Sequence, residues 1–122
     1  MNIYSPDNWV VIKMKTEENE ILYKILSGWS GSYLSGDSWR INSGIVKCEK
    51  TTETRMFNNK EYTAEYFDFY GSSGSCYRCN EETYGLRMNN AGIWNQLQEK
   101  YGDRVQMMDE ETDWVKMDWI VS

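Results

Sequence analysis

Histidine is absent from the 122-residue sequence. Its absence removes the commonest general base, the commonest metal ligand and the usual partner of a nucleophile. Histidine-dependent triads are excluded. Acid–base chemistry would fall to carboxylates, Lys, Tyr or Cys, and nothing in the sequence isolates a pair of these, so the reading leans away from an enzyme. Proline occurs once, at Pro6, so no proline-rich linker divides the chain. Cysteine occurs three times, an odd count without framework spacing, which favours free thiols in a reducing cytoplasm. No stretch approaches the ~18 consecutive apolar residues of a membrane helix. The first residues, Met1 to Asp7, lack a basic region followed by an apolar run, so no signal peptide is expected. Positive charge is in deficit, with 13 Lys plus Arg against 19 Asp plus Glu and a net charge of −6. That balance argues against nucleic acid and against an anionic membrane surface. The carboxylates form no long run, which disfavours an acidic mimic of nucleic acid.

Aromatic residues are in surplus. Six Trp, nine Tyr and three Phe make up 15% of the chain. Large rings fill cores, but Tyr and Trp are also enriched where a surface meets a partner. The hydrophobic fraction of 40% and charged fraction of 26% are those of a globular protein.

Hydrophobic periodicity places the elements. Residues 8–15 alternate as a strand, with Val10, Ile12 and Met14 on one face and Trp9 and Val11 on the other. A second strand covers 21–26, and 39–49 reads as extended with a bulge at Ser43-Gly44. Residues 52–57 and 61–70 form a hairpin around Asn58-Asn59, since Asn tolerates positive φ. A short strand follows at 75–79. One helix is expected over about 90–101, where Ile93, Trp94, Leu97 and Tyr101 make an apolar stripe. Asn89 or Asn90 would cap it and Gly102 would end it. A last hairpin, 104–108 with 114–121, closes across the acidic loop 109–113, with Val115, Met117, Trp119 and Val121 sharing a face. The expectation is one α+β domain over 1–122. It has a mostly antiparallel twisted sheet, or a partly closed barrel, with the helix packed on it.

Four constellations bear on function. Cys76-Tyr77-Arg78-Cys79 has redox or half-zinc-site spacing. It sits on a strand, where residues three apart face opposite ways, and Cys48 is the only other thiol. These read as structural cysteines. The run Asp109 to Asp113 imitates the start of a calcium loop but lacks its glycine and its terminal glutamate, and reads as a solvated tip. No metal and no cofactor are expected. The Gly/Ser-rich loop from Gly28 to Trp39 carries Trp29, Tyr33 and Trp39, with Arg40 next to it. It lacks a phosphate-loop pattern and is a candidate recognition loop. Tyr66 and Tyr70 belong to a strand face of tyrosines that offers a second candidate surface.

Asn8-Trp9-Val10-Val11, Gly28-Trp29-Ser30-Gly31, the run Gly36 to Ile45, Tyr84 to Asn89 and Met117-Asp118-Trp119 resemble a small uncharacterised protein of marine cyanobacterial myoviruses (cyanophages). The resemblance spans most of the chain. It implies a short accessory protein working in an infected bacterial cytoplasm, and it carries over no functional residue.

The leading expectation is therefore a non-catalytic binding module that contacts a host or phage protein through Trp29, Tyr33, Trp39 and Arg40, with Tyr66 and Tyr70 second. A structural or self-assembling role, as a virion-associated or homo-oligomeric protein, is the alternative. A small-molecule-binding domain or enzyme comes third.

Overall fold

The computed structural model describes residues 2–31 and 36–120. Its elements in chain order are β1 (Ile3–Tyr4), β2 (Asn8–Lys15), β3 (Ile21–Trp29), β4 (Ser38–Ile41), β5 (Ile45–Phe57), β6 (Lys60–Gly71), β7 (Cys76–Asn80), α1 (Met88–Tyr101) and β8 (Val105–Met107). The fold is α+β. The strands form two open four-stranded sheets, ordered β1-β7-β6-β5 and β4-β3-β2-β8. They do not close into the barrel that was one of the two sheet forms expected. β1 pairs parallel with β7, and the other strand pairings are antiparallel.

β2 explains the layering. Its sequence Asn8-Trp9-Val10-Val11-Ile12 is buried throughout, the pattern of a strand covered on both faces. Trp9 and Val11 join Tyr23 and Ile25 of β3 and meet Ile45, Cys48, Phe69, Tyr77 and Cys79 of the other sheet. Val10 and Ile12 turn the other way and join Leu26, Trp94 and Val105, with Ile93, Leu97 and Tyr101 of α1 packed against them. The order is thus sheet, sheet, helix, with one apolar cluster between each pair of layers.

Local chemistry sets the connections. Asn58 and Asn59 both have positive φ, at 50° and 61°, which a two-residue hairpin of matching twist requires. The hairpin is longer than its apolar pattern indicates, and its register runs unbroken from Lys47–Tyr70 to Phe57–Lys60. The extended run at 39–49 is in fact two strands. Ile25 donates its backbone N–H to the Asn42 side chain, and the chain leaves one sheet there to enter the other. The irregularity lies between Ile45 and Lys47, just after the expected Ser43-Gly44.

The helix starts two residues early. Asn89 and Asn90 lie inside its first turn, and Arg87 is the boundary residue. Their side chains serve the fold instead. Asn8 donates to Asn90 Oδ1 at 3.1 Å, Asn89 donates to Asn8 Oδ1 at 2.7 Å, and Asn90 donates to the Leu26 carbonyl at 3.3 Å. Asn90 Oδ1 also accepts from the Arg87 N–H, so it still satisfies a first-turn donor. Gly102 ends the helix with φ 58°, as its sequence position implies.

The last hairpin is not formed. β8 pairs with β2, but residues 114–120 make no strand. Trp114 and Trp119 are the reason. Both are buried, their rings stack 6.1 Å apart at 13°, and the Trp119 indole donates to the Trp114 carbonyl. Burying two indoles in the inter-sheet cluster outweighs the alternation of Val115, Met117 and Trp119, of which Val115 is exposed. Val121 lies outside the described residues.

Candidate functional site

The residues singled out around the Gly/Ser-rich loop occupy three different environments. Gly28 and Trp29 belong to β3, and Ser38, Trp39 and Arg40 to β4. Tyr33 lies outside the described residues. The Trp29 indole donates to the Ser5 carbonyl at 3.0 Å, and its ring packs edge-on against Tyr4. Trp29 is therefore half-buried structure at the sheet margin. Asp7 and Asp37 accept backbone N–H groups from Ser30 and Gly31, which fixes the stems of the loop.

Trp39 and Arg40 are neighbours on a strand and so point to opposite faces. Ile41 packs with Leu26 on the helix side, and Trp39 shares that side, 48% exposed. Arg40 faces the other way. Its guanidinium sits 4.4 Å from the centre of the Tyr4 ring, and Tyr4 stacks on Tyr77. Burial raises the pKa of the Tyr77 hydroxyl, against the pull of the Arg40 charge. Arg40 makes no ion pair among the described residues.

Among the described residues β4 is an edge strand, bonded only to β3. Asn42 donates its N–H to the Ile25 carbonyl. By the alternation of an antiparallel ladder, Arg40 also turns its backbone toward β3, while Trp39 and Ile41 turn theirs outward. The open edge thus offers backbone donors and acceptors between an exposed indole and a guanidinium. Sequence reasoning found the two side chains. It missed Tyr4, which carries Arg40, because a two-residue strand leaves no periodic signal.

Tyr66 and Tyr70 stand elsewhere, on the outer face of the other sheet, both half-exposed. Between them Asp68 is only 2% exposed. Arg78 grips it with Nε at 2.9 Å and Nη2 at 3.0 Å, and the Thr51 hydroxyl donates at 2.7 Å. Glu53 holds the remaining side of Arg78 at 3.2 Å. Hydrogen bonding to Asp68 raises the Arg78 pKa above its ordinary value. A buried carboxylate bonded this fully is a structural clamp. Tyr70 covers it, donating to Glu49 at 3.3 Å under the Lys47 ammonium. The sequence hides this clamp because it depends on the β6–β7 register, which sets Asp68 opposite Arg78.

The cysteines are buried free thiols. Burial pushes the pKa of Cys48 up to about 12, with Asp68 adding to it. Burial also raises Cys76, and raises Cys79 well above its ordinary value. Redox exchange and metal binding need the thiolate, so all three shifts run against that chemistry. Asp109 accepts from the Glu111 N–H and its carbonyl accepts from Thr112, so the acidic tip closes as a turn on itself. No cluster of His, Cys, Asp or Glu among the described residues could hold a metal ion. No helix among them is long and apolar enough to cross a membrane.

One apolar groove of about 400 Å3 lies between the starts of β3 and β5 and residues 119–120, lined by Ile21, Tyr23, Ile45, Val46, Trp119 and Ile120. Comparison of the chain with known protein families, with curated proteins and with solved structures found no match.

Proposed function

We propose that this protein is a non-catalytic binding module that docks a protein partner along the free edge of β4. The observation that carries the reading is the pairing of an open strand edge with the exposed Trp39 and with Arg40, which rests on the Tyr4 ring and makes no ion pair among the described residues. Strand addition takes affinity from backbone bonds and specificity from flanking side chains. Trp and Arg are the side chains that dominate interfaces. The raised thiol pKa values and the absence of histidine support a role without catalysis. Tyr66 and Tyr70 form a second, separate surface. The cyanophage resemblance makes host and phage proteins in a bacterial cytoplasm the pool to search.

The test compares capture from a cyanobacterial lysate by tagged wild type and by Trp39→Ala and Arg40→Glu, with folding checked by circular dichroism. A protein held by wild type and lost with both folded variants is the expected result. Equal capture by all three chains would remove the β4 edge as the site.

A further inference from the structure

Of the four edge strands, β5 is the longest. It has 13 residues, ends its sheet and, among the described residues, bonds only to β6. β7 pairs with β6 only over Tyr66–Tyr70. Beyond that, residues 52–57 and 60–65 form a two-stranded ribbon with no third strand among the described residues. Met56 is 68% exposed, Phe57 66% and Tyr62 53%. A two-stranded ribbon is marginal in water, and a third strand or a packed face normally completes it.

Backbone direction along β5 follows from its turn. Phe57 and Lys60 flank a two-residue loop and exchange backbone bonds, so the odd-numbered residues of β5 bond to β6. Lys50, Thr52, Thr54 and Met56 therefore aim their N–H and C=O groups at the open edge. No proline interrupts them, and no lysine follows Lys50 to blunt the strand.

We propose that β5 pairs antiparallel with β5 of a second copy about a two-fold axis at Thr52, joining the two sheets edge to edge. Charge complementarity argues for a second copy, and charge together with overlap length sets the register: Thr52 pairs residues 47–57, whereas the nearby centres that also avoid opposing like charges, Cys48 and Thr54, pair only residues 45–51 and 51–57. Centred on Thr52, the pairing sets Glu49 of each copy opposite Arg55 of the other and opposes no like charges. Shifted to Thr51, it opposes Glu49 to Glu53 and Lys47 to Arg55. Shifted to Lys50 or Glu53, it opposes that residue to itself. Glu49 and Arg55 fall at positions without backbone bonds, where opposed side chains come closest. The same register brings Met56 and Phe57 of one copy level with Cys48 and Lys47 of the other. That is beside Val46 and the apolar groove it lines. One interface thus supplies the missing third strand and covers the exposed ribbon tip. It stands on a different edge from β4 and is independent of the partner reading.

The test is sedimentation equilibrium of the full chain from ~1 µM to ~1 mM, a range in which a 1 mM to 1 µM dimer is resolved. Wild type is expected to dimerise. Thr52→Pro removes an outward N–H group, and Thr54→Pro removes one together with a hydroxyl 3.5 Å from that of Thr63; both should give monomers with an unchanged fold. Arg55→Glu should weaken the dimer about tenfold or more, since two attractive pairs become repulsive. The double swap Glu49→Arg/Arg55→Glu should restore it, which a merely structural role for either residue would not produce. A wild-type monomer across the range overturns the proposal. So does a dimer that survives Arg55→Glu unchanged, or one that the swap fails to rescue. The charge variants decide the matter even where a proline variant unfolds.

Discussion

Trp9 meets the rings of Phe67, Phe69, Tyr84 and Trp114 and donates its indole N–H to the Asn80 carbonyl at 2.7 Å. No smaller side chain fills that space or satisfies that carbonyl. Trp9→Ala should destabilise by about 3–5 kcal/mol in urea unfolding, the range for a fully buried aromatic. The thiols make a pH prediction. Cys48 rises from 9.0 to about 12 in the folded chain, and Tyr84 rises from 10.0 to about 12, mainly by burial. A raised folded pKa means that the unfolded chain ionises first. The contribution is complete below pH 9.0, the ordinary thiol value, and is lost as pH climbs toward about 12. Melting temperature should therefore fall steadily above that lower limit, and less steeply in Cys48→Ala. A flat profile through that window would contradict the burial. Iodoacetamide at neutral pH should leave all three cysteines unmodified until urea is added.

Among the elements, the docking of α1 on β3 carries the tightest constraint. A Cβ built on Gly28 runs into the side chain of Asn89, and Asn89 is held by Asn8. Gly28→Ala should cost on the order of 1–3 kcal/mol, as overpacking does. Asn89→Ala in the same chain should recover part of that loss, and a double-mutant cycle measures the coupling. What the sequence made legible follows the same division. β2, the Asn58-Asn59 turn and the glycine stop at Gly102 are local, and pattern or turn chemistry marks each one. Asn89 and Asn90 at the helix start looked like caps because a cap is the local use of Asn. Their actual partners lie across the chain. The C-terminal stretch misled for a related reason: Val115, Met117 and Trp119 alternate like a strand, but no neighbouring edge pairs with them. At the candidate site, side-chain type exposed Trp39 and Arg40. The open edge they flank is a product of sheet order, which one sequence does not encode locally.

For the whole molecule, the shared strand sets cooperativity. β2 contributes Trp9 and Val11 to one apolar cluster and Val10 and Ile12 to the other. Neither cluster can open while its neighbour stays intact. Urea unfolding followed by far-ultraviolet circular dichroism and by tryptophan fluorescence should trace one coincident transition. Separate midpoints would show that the helix layer detaches alone. The stacked indoles near the C-terminal end have an optical consequence. Trp114 and Trp119 lie nearly parallel at 6.1 Å, and their transition dipoles are close enough to couple. The pair therefore contributes to the ultraviolet circular dichroism, and that contribution changes when either ring swings free. The chain carries its own spectroscopic gauge of whether the segment from Trp114 to Trp119 is seated, readable without a label.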